Sequence, residues 1–241
     1  MMFGMVLQEE VTVGEDGKEV RKQVKIKTRA GKSVKLAELL DEAKERALKN
    51  FEERKNKGKE EAKEGEDEQI MQKVQLEGKE ELEKAAEVLG ISSIKYYDLK
   101  QNRTQNYCFS FDQMLDPRGN TGVYLIYQYV RVCSILRKAG FDEATSNLAD
   151  FNFEACNQSE KNLALTLLRL PEAIDAAAKD LMVNRLTDQL YEITNKIGSF
   201  YHDTRVLGSD NQNSSVALLL ATKKVMETCF DLLGMATIDR I

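Results

Sequence analysis

The residues best suited to chemistry lie near the start of the chain. From Arg21 to Lys35 there are seven Lys or Arg and no Asp or Glu, although the 241 residues together carry a formal net charge of -5. At the centre of this run is KIKTRAG, residues 25 to 31. In an extended segment Lys25, Lys27 and Arg29 fall on one face. Thr28 adds a hydroxyl, and Gly31 permits a tight turn. Such a loop suits an anion with several oxygens, such as a triphosphate, with Lys supplying point charges and Arg a forked set of donors. The plainer reading is an edge strand whose lysines keep it from pairing with another chain. The charge pattern alone favours that plainer reading.

Other chemistries find little support. The four cysteines, Cys108, Cys133, Cys156 and Cys229, lie far apart. Together with the single His202 they have no metal-ligand spacing, so no metal site is expected. They read as buried, reduced thiols of a cytosolic protein. One histidine argues against a His-based nucleophilic triad, and His202 reads as a surface residue. No glycine-rich phosphate loop is present. A pI near 5.3 argues against non-specific coating of nucleic acid. It leaves room for a local basic patch, because screening confines each charge to its neighbourhood. No stretch approaches the roughly 20 apolar residues of a membrane span, and MMFGMVLQEE lacks the layout of a signal peptide. The expectation is a cytoplasmic protein without membrane association.

The elements that must position the basic turn follow from periodicity. Residues 3–13 and 19–27 read as two strands joined across an Asp-Gly, a strong hairpin signal. Leu36, Leu39, Leu40, Ala43 and Ala47 have helical spacing. From Asp41 to Glu68 the chain is almost entirely Glu, Lys, Ala and Arg, which reads as a solvated helix fraying into a flexible charged insert. Helical periodicity resumes over 69–90 and closes at Gly90. A mixed aromatic stretch follows, with a short strand expected at Tyr107–Phe111. Beyond residue 116 the texture is helical. Asn120-Thr121 caps a helix ending at Gly140, and further helices run over 157–170, from Pro171, around Leu186–Phe200, and from Ser214 to Gly234. The expected fold is α+β over 1–115 followed by an all-α bundle over 116–241, mostly α overall.

Order and spacing in the middle of the chain are more specific than charge. Ile94-Lys95-Tyr96, Asp98-Leu99, Asn102-Arg103, Tyr107, Phe109-Ser110-Phe111-Asp112, Met114-Leu115, Gly119-Asn120-Thr121, Tyr124-Leu125, Tyr127 and Arg131 follow in sequence. LLRLPE at 167–172, an Arg-Leu…Asp…Leu-Tyr-Glu pattern at 185–192, and Phe200-Tyr201 come after. In these residues the chain closely resembles the C-terminal half of arginyl-tRNA synthetase, a class I enzyme. The opening GMVLQEE, GEDGK and LAELLDEAKERA match as well, so the resemblance spans all but the charged insert.

The resemblance changes the reading of KIKTRAG, which looks like a degenerate version of the mobile Lys-Met-Ser-Lys-Ser loop of class I synthetases. It implies that Lys25, Lys27, Thr28 and Arg29 face the triphosphate of ATP while arginine is activated. In-line attack on a phosphate needs charge stabilisation more than covalent chemistry, which suits those residues. The family's helical bundle reads the tRNA anticodon, where unpaired bases stack on aromatic or Arg planes. Tyr201, Arg240 and Ile241 are the implied contacts. Arg103, Tyr107, Asn120 and Arg131 match family positions too, with packing and tRNA positioning equally good explanations. The implied partners are arginine-accepting tRNA, arginine and ATP with Mg²⁺, none held tightly by this chain, and the family is usually monomeric. Three departures stand out: there is no His-Ile-Gly-His-like motif, Ser214-Ser215-Val216 replaces a Ser-Arg-Leu pattern, and the chain ends in Ile241 where the family usually has Met. The expectation is a chain that recognises tRNA modestly, with a shallow salt slope, and lacks catalysis by itself. The alternative is a non-catalytic helical interaction module derived from a synthetase.

Overall fold

The computed structural model describes residues 2–13, 19–25, 35–60, 78–141, 153–155 and 157–240. Strands β1 (Val6–Val13) and β2 (Glu19–Lys25) pair antiparallel, with Val13 opposite Glu19 and Leu7 opposite Lys25. The turn between them lies outside the described residues. A short strand β3 (Tyr107–Cys108) joins the other edge of β1 in parallel, giving the order β2-β1-β3. A parallel pairing needs a long crossover, and here α1 (Leu36–Glu60) and α2 (Lys79–Leu99) provide it.

Those two helices pack against each other and correct two expectations. The charged stretch begins as part of a packed helix: Ala43, Ala47 and Phe51 recur every four residues and are fully buried, while the charged side chains between them lie outward. The charged residues of 61–68 lie outside the described region. Gly90, expected to end a helix, sits in the middle of α2. A Cβ there would meet the backbone of Ala43 and Lys44 at 2.9 Å. This glycine lets α2 approach α1 closely and does not stop the helix, which runs on to Leu99.

The expected strand at Tyr107–Phe111 divides into β3 and a one-turn helix α3 (Phe111–Met114). Ser110 is the cause, because its hydroxyl accepts from the Gln113 backbone N–H and so starts a helix. Thr121 caps α4 (Gly122–Lys138) in the same way. Asn157 and Glu160 form a reciprocal capping box on α5 (Gln158–Leu168). Pro171 stands in the first turn of α6 (Leu170–Asp180), followed by α7 (Asn184–Asp203) and α8 (Gln212–Leu232). These helices form a bundle around Ile126, Val130, Leu163, Leu190, Ile193, Ile197, Phe200, Leu219 and Phe230, all 2% exposed or less. The molecule is thus a small mixed α/β piece followed by an all-α bundle, mostly helical. No helix among the described residues is long and apolar enough to cross a membrane.

Candidate functional site

The basic turn lies mostly beyond view. Lys25 closes β2, and Lys27, Thr28 and Arg29 fall outside the described residues, as does Ile241. The structure brings two of the other expected residues together on the bundle. Tyr201, on the last turn of α7, is half-buried, and the Arg131 guanidinium of α4 sits 4.2 Å from its ring centroid. The Phe200 ring lies beside it at 5.5 Å. Such a cation over an aromatic face is attractive by about 0.5–2 kcal/mol, more as water is removed. Burial pushes the Tyr201 phenol up, opposed by Arg131. Burial also lowers Arg131, opposed by Tyr201 and Tyr124. The Tyr201 hydroxyl is buried and finds no hydrogen-bond partner among the described residues.

Helical spacing explains what surrounds this pair. Tyr124, Gln128 and Arg131 are four and three residues apart and share a face of α4. The Tyr124 ring meets Tyr191 of α7 edge-on at 6.2 Å. A single apolar stripe on α4 buries Ile126, Val130 and Cys133 and leaves these aromatic and cationic groups towards the edge of the core. Tyr124 and Tyr191 belong to the ordered motifs of the sequence, which gave them no place at the site. The signal that marks them is their i, i+7 relation to Arg131 and i, i+10 relation to Tyr201, on two helices whose facing only the fold reveals.

The last residues lead towards the same side. After Gly234 the tail is pinned to α2, where Lys95 bonds the Gly234 carbonyl and Ser92 donates to the Ala236 carbonyl at 2.9 Å. Arg137 of α4 donates to the Asp239 carbonyl at 3.1 Å. Burial raises the Cys133 thiol to about 11, and Asp239 adds to the shift. The same thiol bears on Tyr201. Arg240 is exposed at the end of this pinned segment.

The remaining expected residues are engaged inside the protein. Asn120 accepts from the Tyr96 hydroxyl at 2.5 Å through its side chain, and from Lys100 at 2.7 Å through its carbonyl. Tyr107 donates to Asp98 at 2.6 Å. Arg103 donates to the carbonyls of Met2 at 2.7 Å and Leu181 at 3.1 Å. His202 is exposed, beside Asp203 at 2.8 Å. Two open grooves lie elsewhere. One of about 770 Å³ runs along Arg46, Phe111 and Asp112, and one of about 320 Å³ along Arg169, Arg185 and Asp188. Both mix charges of either sign. No group of three or more carboxylate, His or Cys side chains among the described residues could hold a metal ion.

Comparison with known proteins divides the chain in two. Residues 1–111 match the family model of class I tRNA synthetases (R), catalytic domain, and residues 125–241 match the DALR anticodon binding domain. The chain is 39% identical to "Arginine--tRNA ligase, chloroplastic/mitochondrial" of Arabidopsis thaliana, across 99% of its own length and 33% of that protein. It is equally 39% identical to "Arginine--tRNA ligase" of Chlamydia caviae, across 99% of this chain and 36% of that one. The crystal structure of arginyl-tRNA synthetase from Plasmodium falciparum superposes with a TM-score of 0.69 at 33% identity, over 86% of this chain and 34% of that chain. The chain therefore spans about a third of the length of the curated relatives it matches.

Proposed function

The chain belongs to the class I arginyl-tRNA synthetase family, and from that premise we propose that its helical bundle holds the anticodon region of an arginine-accepting tRNA. Its N-terminal piece supplies the cation-rich loop for ATP-dependent activation of arginine. The boundary between the two is placed at residues 115/116, which falls between the two family matches. The observation that carries the reading is the Arg131–Tyr201 pair at the edge of the bundle, with Arg240 presented by a pinned tail. A splayed base finds a π-face or a guanidinium plane there, with a cation nearby for a phosphate. Asn120, Tyr107 and Arg103 act by holding the frame, because their polar groups already bond protein partners.

Lys25, Lys27, Thr28 and Arg29 are assigned to the ATP phosphates. Developing charge on the transferring phosphate is what fixed cations stabilise. Mg²⁺ is assigned to the phosphates of the nucleotide, where it would neutralise their charge. Buried, free Cys133 and Cys229 suit the reducing conditions of the cytoplasm, and the protein is taken as a monomer there.

The test is a titration of arginine-accepting tRNA against the same RNA with its anticodon replaced. Tighter binding of the natural anticodon is expected. Equal binding of both would overturn the reading in favour of an interaction module. By itself the chain is expected to show no arginine-dependent ATP–pyrophosphate exchange.

A further inference from the structure

Arg103 bonds through its side chain to both the segment before β1 and the helical bundle. Its Nη1 donates to the Met2 carbonyl at 2.7 Å, and its Nε donates to the Leu181 carbonyl at 3.1 Å. The guanidinium also lies 5.5 Å from the Phe3 ring centroid.

On the strand side the tie is tight. Gly4 N–H donates to the Arg103 carbonyl at 2.7 Å, and Met5 N–H donates to the Asn106 side chain at 2.7 Å. A Cβ on Gly4 would fall 1.7 Å from the Gln105 carbonyl oxygen, so this segment packs directly against residues 103–106. It leads directly into β1 and so into the hairpin that ends in the basic turn.

On the bundle side Arg103 grips a strained point. Leu181 has φ 55 and is the only non-glycine residue with positive φ among those described. It ends α6 in the left-handed conformation and is followed, after Met182 and Val183, by α7, the helix that carries Tyr201. A residue with a β-carbon adopts that φ at some cost, and the bond from Arg103 to its carbonyl helps hold the turn there.

We propose that Arg103 is a positioning residue that couples the Leu181 turn of the bundle to the strand feeding the basic hairpin, so that RNA bound by the bundle holds β1 in place. The inference rests on the anticodon-binding reading above. Donating to two backbone carbonyls of separate segments from one plane suits the fork of an arginine. A lysine ammonium keeps the charge but is a single point and does not hold both in a fixed plane.

The experiment is hydrogen–deuterium exchange of the β1 amides, with and without arginine-accepting tRNA. Each protein is measured at saturating RNA so that differences in affinity drop out. In the natural chain RNA is expected to slow β1 exchange by about threefold or more, a local stabilisation against opening. Arg103→Ala and Arg103→Lys are both expected to lose that RNA-dependent slowing. Leu181→Gly, which accepts the same φ without strain and keeps the carbonyl, is expected to retain it. Slowing in Arg103→Lys equal to the natural chain would overturn the coupling, and so would bound RNA that leaves β1 exchange unchanged in the natural chain. If the natural chain binds no such RNA at all, the anticodon reading falls, and this inference falls with it.

Discussion

At Tyr201 two features of one side chain pull in different directions. The ring is half-buried and carries an Arg131 cap, which suits stacking. Its hydroxyl is buried without a partner among the described residues, and an unsatisfied buried polar group costs about 1–3 kcal/mol. Tyr201→Phe removes the hydroxyl and keeps the ring. Its expected effect is a gain of about 1 kcal/mol in stability by urea denaturation, with RNA affinity unchanged. Tyr201→Ala removes the platform and is expected to weaken anticodon-dependent binding by about 1–3 kcal/mol, the value of one stacked base. If phenylalanine weakens RNA binding as much as alanine does, the hydroxyl itself contacts the RNA and the stacking role fails.

Between elements, close approach and polar pairing set the geometry. At Gly90 the α1 backbone leaves no space for a methyl group, since the contacts would be 2.9 Å. Alanine gains about 1 kcal/mol in helix propensity, whereas overpacking costs about 1–3 kcal/mol. Backbone cannot retreat as a side-chain tip would, so the steric cost wins and Gly90→Ala is expected to lower the urea midpoint. Between α4 and α8, Glu227 accepts from the Tyr129 hydroxyl at 2.8 Å and pairs with Lys223 at 2.8 Å. Burial pushes its carboxyl up, but the bonds from Lys223 and Tyr129 outweigh burial and leave it below its ordinary 4.5. A carboxyl lowered in the folded state stabilises the fold above its unfolded value, and that stability is lost as pH falls through the folded value. Glu227→Gln is therefore expected to cost about 1 kcal/mol at pH 7. The difference should shrink as pH drops below about 4.5, and a difference constant with pH would exclude this account.

Across the whole molecule, the acidic balance limits how strongly RNA is held. The chain carries a net charge of -5, and the cations assigned to the RNA are Arg131 and Arg240. Each phosphate neutralised on a single strand contributes about -0.7 to the slope of log affinity against log salt. Two such contacts predict a slope of about -1 to -2. A slope several times steeper would mean that the RNA covers a basic surface other than this one.

The paired strands, the bundle helices and the Thr121 cap were legible because they depend on local rules: an Asp-Gly between two β-branched runs, the hydroxyl of Thr121, Pro171 in a first turn, and apolar residues every three or four positions. The kinship was legible because ordered motifs such as Asn102-Arg103 and Gly119-Asn120-Thr121 survive without any knowledge of contacts. Gly90 was misread because a glycine that ends a helix and one that admits a neighbouring helix look alike until α1 is in place. The burial of Phe51 within a charged run, the Arg131 cap on Tyr201, and the bonds that engage Arg103, Tyr107 and Asn120 were likewise decided only by tertiary structure. The sequence by itself determined which segments are helix or strand and which family they belong to, since both follow from near neighbours and their order. Which side chains remain available for RNA was decided by the fold, because availability is what is left after distant segments have taken their partners.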